Sequence, residues 1–292
     1  MHTHQRIADR KRLLAAIILS AAFFVVEVVG GLLTNSLALL ADAGHMLSDV
    51  AALGLALFAL WVAARPAGPA KTYGYFRVEI LAALVNGLGL AGIALLLMWE
   101  AVQRLGSPPA VESGPMLAVA ALGLAANVAA AWVLAGGQAG SLNVRGAFLH
   151  VLGDLAGSAG ALAAGAVMLA TGWYLADPLV SVGIGLLIIW SAWRLLRETV
   201  DVLLEAAPAH IDVRAVEGAM REVPGVERVH DLHVWTVTSG FVAMSAHVEV
   251  THARHEHDVL VDLRRVLHDR FDIEHTTLQL ECRELEETLH HD

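Results

Sequence analysis

The amino-acid sequence predicts an α-helical membrane domain of six transmembrane helices, residues 1–207, followed by a cytoplasmic α/β domain of ferredoxin-like type, residues 208–292. Three observations predict it. Of the 292 residues 57% are hydrophobic and the mean hydropathy is +0.60, too apolar for a soluble globular chain. The apolar residues crowd before about residue 200, into six stretches that each supply the ~20 residues a bilayer core requires. The remainder has the mixed helix and strand periodicities of a soluble domain.

The six stretches run over about 13–33, 37–63, 78–99, 115–136, 147–170 and 178–196. Turn chemistry separates them: Thr34-Asn35-Ser36, Arg65-Pro66-Ala67-Gly68-Pro69, Gly106-Ser107-Pro108-Pro109, Gly136-Gly137, and Thr171-Gly172 ahead of Asp177-Pro178. The abundant Ala and Gly suit close helix packing in lipid. The charged start MHTHQRIADRKR leads into the first stretch without a small-residue cleavage site, so that stretch reads as a retained span. Arg6, Arg10, Lys11, Arg12, Arg65, Lys71, Arg77, Arg145, Arg194 and Arg197 fall on one side and only Arg104 on the other. Positive charge marks the cytoplasmic side, which places both termini there and the protein in the cell inner membrane.

In the tail, 212–223 reads as a helix started by Asp212 and ended by Pro224-Gly225. Strands over 226–238 and 241–251 meet at Ser239-Gly240, 256–271 is helical, and 274–281 alternates as a last strand. The order α-β-β-α-β gives a small sheet with helices on one face, a truncated ferredoxin-like unit.

Charge narrows the function. From Asp201 onward there are 19 acidic residues, 8 arginines and no lysine, together with 11 of the 15 histidines. Such a tail argues against nucleic acid and is compatible with cations. The lone Cys282 excludes an intrachain disulfide framework.

The chemistry sits inside the spans. The second contains His45-Met46-Leu47-Ser48-Asp49 and the fifth His150-Val151-Leu152-Gly153-Asp154, each H-x-x-x-D in an apolar helix. Residues four apart share a helical face, so each helix offers an imidazole and a carboxylate in one direction. One such pair could be a packing hydrogen bond. Two on separate spans, holding the only histidines of the first 200 residues outside MHTH, point to function. Together His45, Asp49, His150 and Asp154 make a tetrahedral N₂O₂ set suited to Zn²⁺. Metal and protons compete for the same lone pairs, and imidazole titrates near pH ~6.5, so proton/metal exchange follows.

Further polar residues are read more plainly. Asp42, one turn before His45, is either an orienting partner or a partly hydrated span-end carboxylate. Glu27, Asn86, Asn127 and Ser158 bond between helices. Strand alternation sets His233 on the face opposite His230. His252, His255 and His257 read as a solvated loop, the alternative being a second tail metal.

Three membrane segments (36–49, SLALLADAGHMLSD; 73–87, YGYFRVEILAALVNG; 150–154, HVLGD) and three tail segments (229–240, VHDLHVWTVTSG; 245–250, SAHVEV; 275–281, HTTLQLE) resemble the cation diffusion facilitator family, near its CzcD-like exporters and the zinc carriers of eukaryotes. The resemblance covers nearly the whole chain. It implies a homodimeric metal/proton antiporter of six helices, used in metal resistance, with a ferredoxin-like tail that binds regulatory metal. It implies the transport set just described and, in the tail, metal ligands at His230, His247 and Glu281. By the same analogy Arg77 pairs with Glu205. Two departures stand out: Gln279 where some members have histidine, and Lys71, Tyr73 and Tyr75 where a loop metal site lies in others. The function expected is non-enzymatic export of a divalent cation, Zn²⁺ ahead of Cd²⁺ or Co²⁺. The rivals are a membrane metal sensor or scaffold, and an intramembrane metalloenzyme, for which no H-E-x-x-H is present.

Overall fold

The computed structural model describes Ile18 and residues 21–135, 142–238, 240–251 and 255–281. Its helices are α1 (Ala21–Thr34), α2 (Leu37–Ala63), α3 (Arg77–Gly106), α4 (Ser113–Ala135), α5 (Leu142–Thr171) and α6 (Ala176–Leu203). Among the described residues four stretches are long and apolar enough to cross a bilayer: Arg77–Gly106, Ser113–Ala135, Asp154–Thr171 and Ala176–Leu203; Ala21–Thr34 and Leu37–Ser48 are shorter apolar helices. Several helices outrun the apolar stretches that announced them. α6 continues past Arg194 and Arg197 to Leu203, because polar side chains do not stop a helix once the segment has left the hydrocarbon. Large apolar side chains face outward, Trp132 with 81% exposure the extreme, as a lipid-facing surface requires.

The chain packs as two compact units, Met1–Leu55 with Val85–Leu195, and Ala56–Leu84 with Leu196–Asp292. In the first, small residues let the helices close on one another. Ala38 and Leu39 of α2 pack with Met116 and Ala120 of α4 and with Ala161, Ala164 and Met168 of α5. Ala41 of α2 packs with Leu90 and Ala94 of α3 and Ile184, Ile188 and Ala192 of α6.

The start of α2 is tied to α6 by one carboxylate. Asp177, with no exposed surface, accepts from Ser36 Oγ (2.6 Å), Leu37 N (2.8 Å) and Ala38 N (3.1 Å). Ser36 Oγ accepts in turn from Leu39 N at 3.2 Å. Three of the helix's orphan N–H groups are thereby satisfied by side-chain oxygens.

In the second unit the soluble elements are α7 (Val213–Arg221), β1 (Val226–Thr238), β2 (Phe241–Val250), α8 (Glu256–Phe271) and β3 (His275–Glu281). Asp212 caps α7 by accepting from Arg214 N at 2.9 Å. The sheet order is β1-β2-β3, antiparallel then parallel. Val216 and Met220 of α7 and Val259, Leu263 and Leu267 of α8 pack on Val229, Val234, Met244, Ala246 and Val248. That core covers one face of the sheet; period-two alternation sends His247, Glu249, Gln279 and Glu281 to the other.

The β1–β2 register shifts at three places, and one expectation falls at the second of them. β1 pairs His230 with His247 but His233 with Ser245, three residues advancing against two. The extra residue is Asp231, in the left-handed region at φ 50°. The bulge restores His233 to the same face as His230, where plain alternation puts it on the opposite one.

Candidate metal sites

The candidate membrane site lies where α2 meets α5. His45 Nε2 lies 3.3 Å from Asp154 Oδ1, and Asp154 is only 6% exposed. A second link lies beside it. Ser158 Oγ donates to Asp42 Oδ2 at 2.9 Å, and Asn127 Nδ2 of α4 donates to Ser158 Oγ at 3.1 Å. Asp42 is thus a buried, hydrogen-bonded group, and the hydrated span-end alternative does not hold. Residue 42 faces 158 while 45 faces 154, so α2 and α5 run antiparallel at the crossing. Asp49 and His150 belong to α2 and α5, and their side chains lie outside the described residues.

Gly157 permits the approach. A Cβ there would stand 2.5 Å from Asp42 Oδ1, closer than any side chain tolerates. Gly157→Ala is expected to push α5 off α2 and lower metal flux at least ~10-fold, since displacements near 1 Å cost that much or more at a preorganised site. Gly183→Ala, where a Cβ meets nothing within 4 Å, serves as control. Equal flux in the two variants would contradict the close crossing.

On the open face of the tail sheet, His230 Nε2 lies 3.2 Å from Glu281 Oε2 and His247 Nδ1 lies 2.6 Å from Glu281 Oε1. One ligand atom from each of the three falls within 4.8 Å of the others, a spacing that can hold a cation. The sheet sets this directly: His230 and His247 are cross-strand partners, and Glu281 lies on the neighbouring parallel strand beside Glu249. Gln279, the departure noted in the sequence, donates from Nε2 to Glu281 Oε1 at 2.8 Å.

Sequence reasoning missed Asp231. It bridges His233 (3.0 Å) and His247 (3.8 Å) from the bulge, and only the bulge brings it there. His252 lies outside the described residues, His255 is the N-cap of α8 without a side-chain cap bond, and His257 is exposed. Arg77 Nη2 donates to Glu205 Oε1 at 2.8 Å, with both side chains largely exposed.

Burial alone would raise the Glu281 carboxyl, but hydrogen bonds from His247 and His230 outweigh it and hold the group below its ordinary 4.5. A depressed carboxylate stabilises the fold above its unfolded value, and that contribution is lost as pH falls through the folded one. Glu281→Gln is therefore expected to flatten the acid limb of the unfolding profile below about pH 4.5, followed by circular dichroism without metal. An unchanged limb would contradict the pairing.

Comparison with known proteins bears on the same two regions. The family model for the cation efflux transmembrane domain matches residues 13–204, and that for the cytoplasmic domain of cation efflux proteins matches residues 208–282. The chain belongs to the cation efflux family. Relatives of this cation efflux protein align over nearly their full length. The zinc transporter ZitB of Escherichia coli (strain K12) is 48% identical, over 96% of this chain and 91% of its own. The metal cation efflux system protein CzcD of Cupriavidus metallidurans is 44% identical, over 98% and 91%. A cadmium, cobalt and zinc/H(+)-K(+) antiporter of Bacillus subtilis is 39% identical, over 96% and 91%. A solved metal-bound C-terminal domain of the CzcD transporter is 42% identical, covers 24% of this chain and 99% of its own, and superimposes with a TM-score of 0.24. As a cation efflux protein with four clear apolar spans among its described residues, the chain is a multi-pass membrane protein.

Proposed function

We propose that this protein exports Zn²⁺ from the cytoplasm in exchange for protons, through His45, Asp49, His150 and Asp154. The observation that supports the reading most is the register of α2 against α5. Asp42 meets Ser158 and His45 meets Asp154, so the next rung of the same antiparallel crossing is 49 with 150. Continued one turn, the crossing assembles two imidazoles and two carboxylates, a donor set zinc accepts. The names of the relatives, zinc transporter and cadmium, cobalt and zinc antiporter, point to the same cargo and to the same exchange.

The exchange follows from the donors. Imidazole nitrogen and carboxylate oxygen bind either a proton or the metal, so loading one releases the other. Protons arriving from outside displace the cation there, and the cation displaces protons on the cytoplasmic side. The frame around this chemistry is six transmembrane helices in the inner membrane, with the domain boundary near residue 207 and both termini cytoplasmic. The tail, read as a truncated ferredoxin-like unit, joins two copies and binds regulatory metal through His230, His247 and Glu281.

The test is zinc flux by purified protein in vesicles loaded with a zinc dye and a pH dye. An acid lumen is expected to drive zinc accumulation, and zinc entry is expected to alkalinise the lumen. Flux that neither needs nor alters a pH gradient would contradict antiport.

A further inference from the structure

We propose that Glu27 and Asp42 form a proton-binding site, separate from the metal ligands, in which two buried carboxyl groups hold one proton between them. Glu27 on α1 is 1% exposed, and among the described residues no hydrogen-bond donor reaches either of its carboxyl oxygens. What lies within hydrogen-bonding reach is the carboxyl group of Asp42 on α2. Two acceptors cannot bond to each other unless one carries a proton. In a low-dielectric interior, two adjacent carboxylates without a cation are also prohibitively costly. One shared proton removes both difficulties.

Asp42 is held in place from the other helices: its Oδ2 accepts from Ser158, which accepts from Asn127. Glycines make the room. A Cβ at Gly123 of α4 would stand 3.0 Å from Glu27 Oε1, and one at Gly157 of α5 would stand 2.5 Å from Asp42 Oδ1. Among the described residues, the titratable groups acting on the pair are Asp154 from α5 and His45 from α2; α4 contributes none, and no Lys or Arg faces it.

The role follows from charge, and this part rests on the export reading. A divalent cation arriving at His45 and Asp154 favours loss of the shared proton. The carboxyl O–H bond breaks, the proton passes to water, and the second carboxylate charge that remains offsets the cation. Each zinc then releases a proton from this pair besides those its ligands lose.

Infrared difference spectroscopy on the full-length protein in lipid tests the pair directly. Metal-free wild type is expected to show a protonated-carboxylic-acid band that shifts with carbon-13 in its Glu or Asp carboxyls and vanishes on adding Zn²⁺. Glu27→Gln and Asp42→Asn are each expected to lack the band, and to release about one proton fewer per zinc in weak buffer. Wild-type protein without an isotope-sensitive acid band overturns the proposal, with no variant needed. So does a Glu27→Gln protein with the wild-type band and proton yield. Absence of zinc flux in wild type sinks the export reading alone, because the band reports the pair in the absence of transport.

Discussion

Asp154→Ala is expected to reduce zinc flux in reconstituted vesicles more than ~100-fold, to the level of vesicles without protein. Altering groups that merely support metal ligands commonly costs 10–100-fold, and removal of a ligand costs more. Asp154 is buried and lies 3.3 Å from His45 across the α2–α5 crossing, so alanine removes a carboxylate from between the helices. Asp154→Glu retains the carboxylate but displaces it, and is expected to recover only part of the flux. Asp49→Ala is expected to be as severe and to abolish zinc resistance in cells, which separates export from a sensor acting through its tail. A wild-type circular dichroism spectrum and thermal midpoint in each variant report that the protein is folded. Flux near wild type in Asp154→Ala would remove the residue from the transport site.

Asp177→Ala is expected to be the most destabilising single change at a helix end. The substitution strands the hydroxyl of Ser36 and the N–H groups of Leu37 and Ala38 in a fully buried site. An unsatisfied buried donor costs about 1–3 kcal/mol, so three of them amount to about 3–6 kcal/mol once partial relaxation is allowed. Asp177→Asn, with one acceptor oxygen in place of two, should fall between. Thermal unfolding in detergent, followed by circular dichroism, checks the order. Equal midpoints for Asp177→Ala and wild type would show that the tie carries no weight. Because α2 also bears His45 two turns further on, zinc flux should fall with stability in this series.

Much of the architecture is legible in the sequence because two strong periodicities mark it. Long apolar runs separated by Gly and Pro can only be membrane helices, and the tail's helix and strand boundaries lie within a few residues of where turn chemistry puts them. The H-x-x-x-D pairs are legible for a similar reason: ionisable groups are rare in spans, so two at helical spacing stand out. What the sequence hides depends on contacts between distant segments. Asp177 reads as half of a turn signal with Pro178, and nothing local says that it caps a helix 140 residues earlier in the chain. Asp231 is invisible to a period-two argument, since the bulge it occupies is what breaks the period. Glu27 reads as a polar residue bonding between helices, and nothing local says that both its carboxyl oxygens are buried away from any donor among the described residues. His230, His247 and Glu281 are legible through family resemblance; the strand register supplies the physical reason they meet.

The most direct test of a joint zinc site is X-ray absorption at the zinc edge on full-length protein whose candidate tail ligands have been removed by His230→Ala and His247→Ala. One zinc per chain is expected, with four nitrogen or oxygen neighbours at about 2.0–2.2 Å and the scattering signature of two imidazoles. Substituting His45 should then remove one imidazole from the signature. A zinc centre with no imidazole, or one indifferent to His45, would contradict the meeting of α2 and α5 around a single cation.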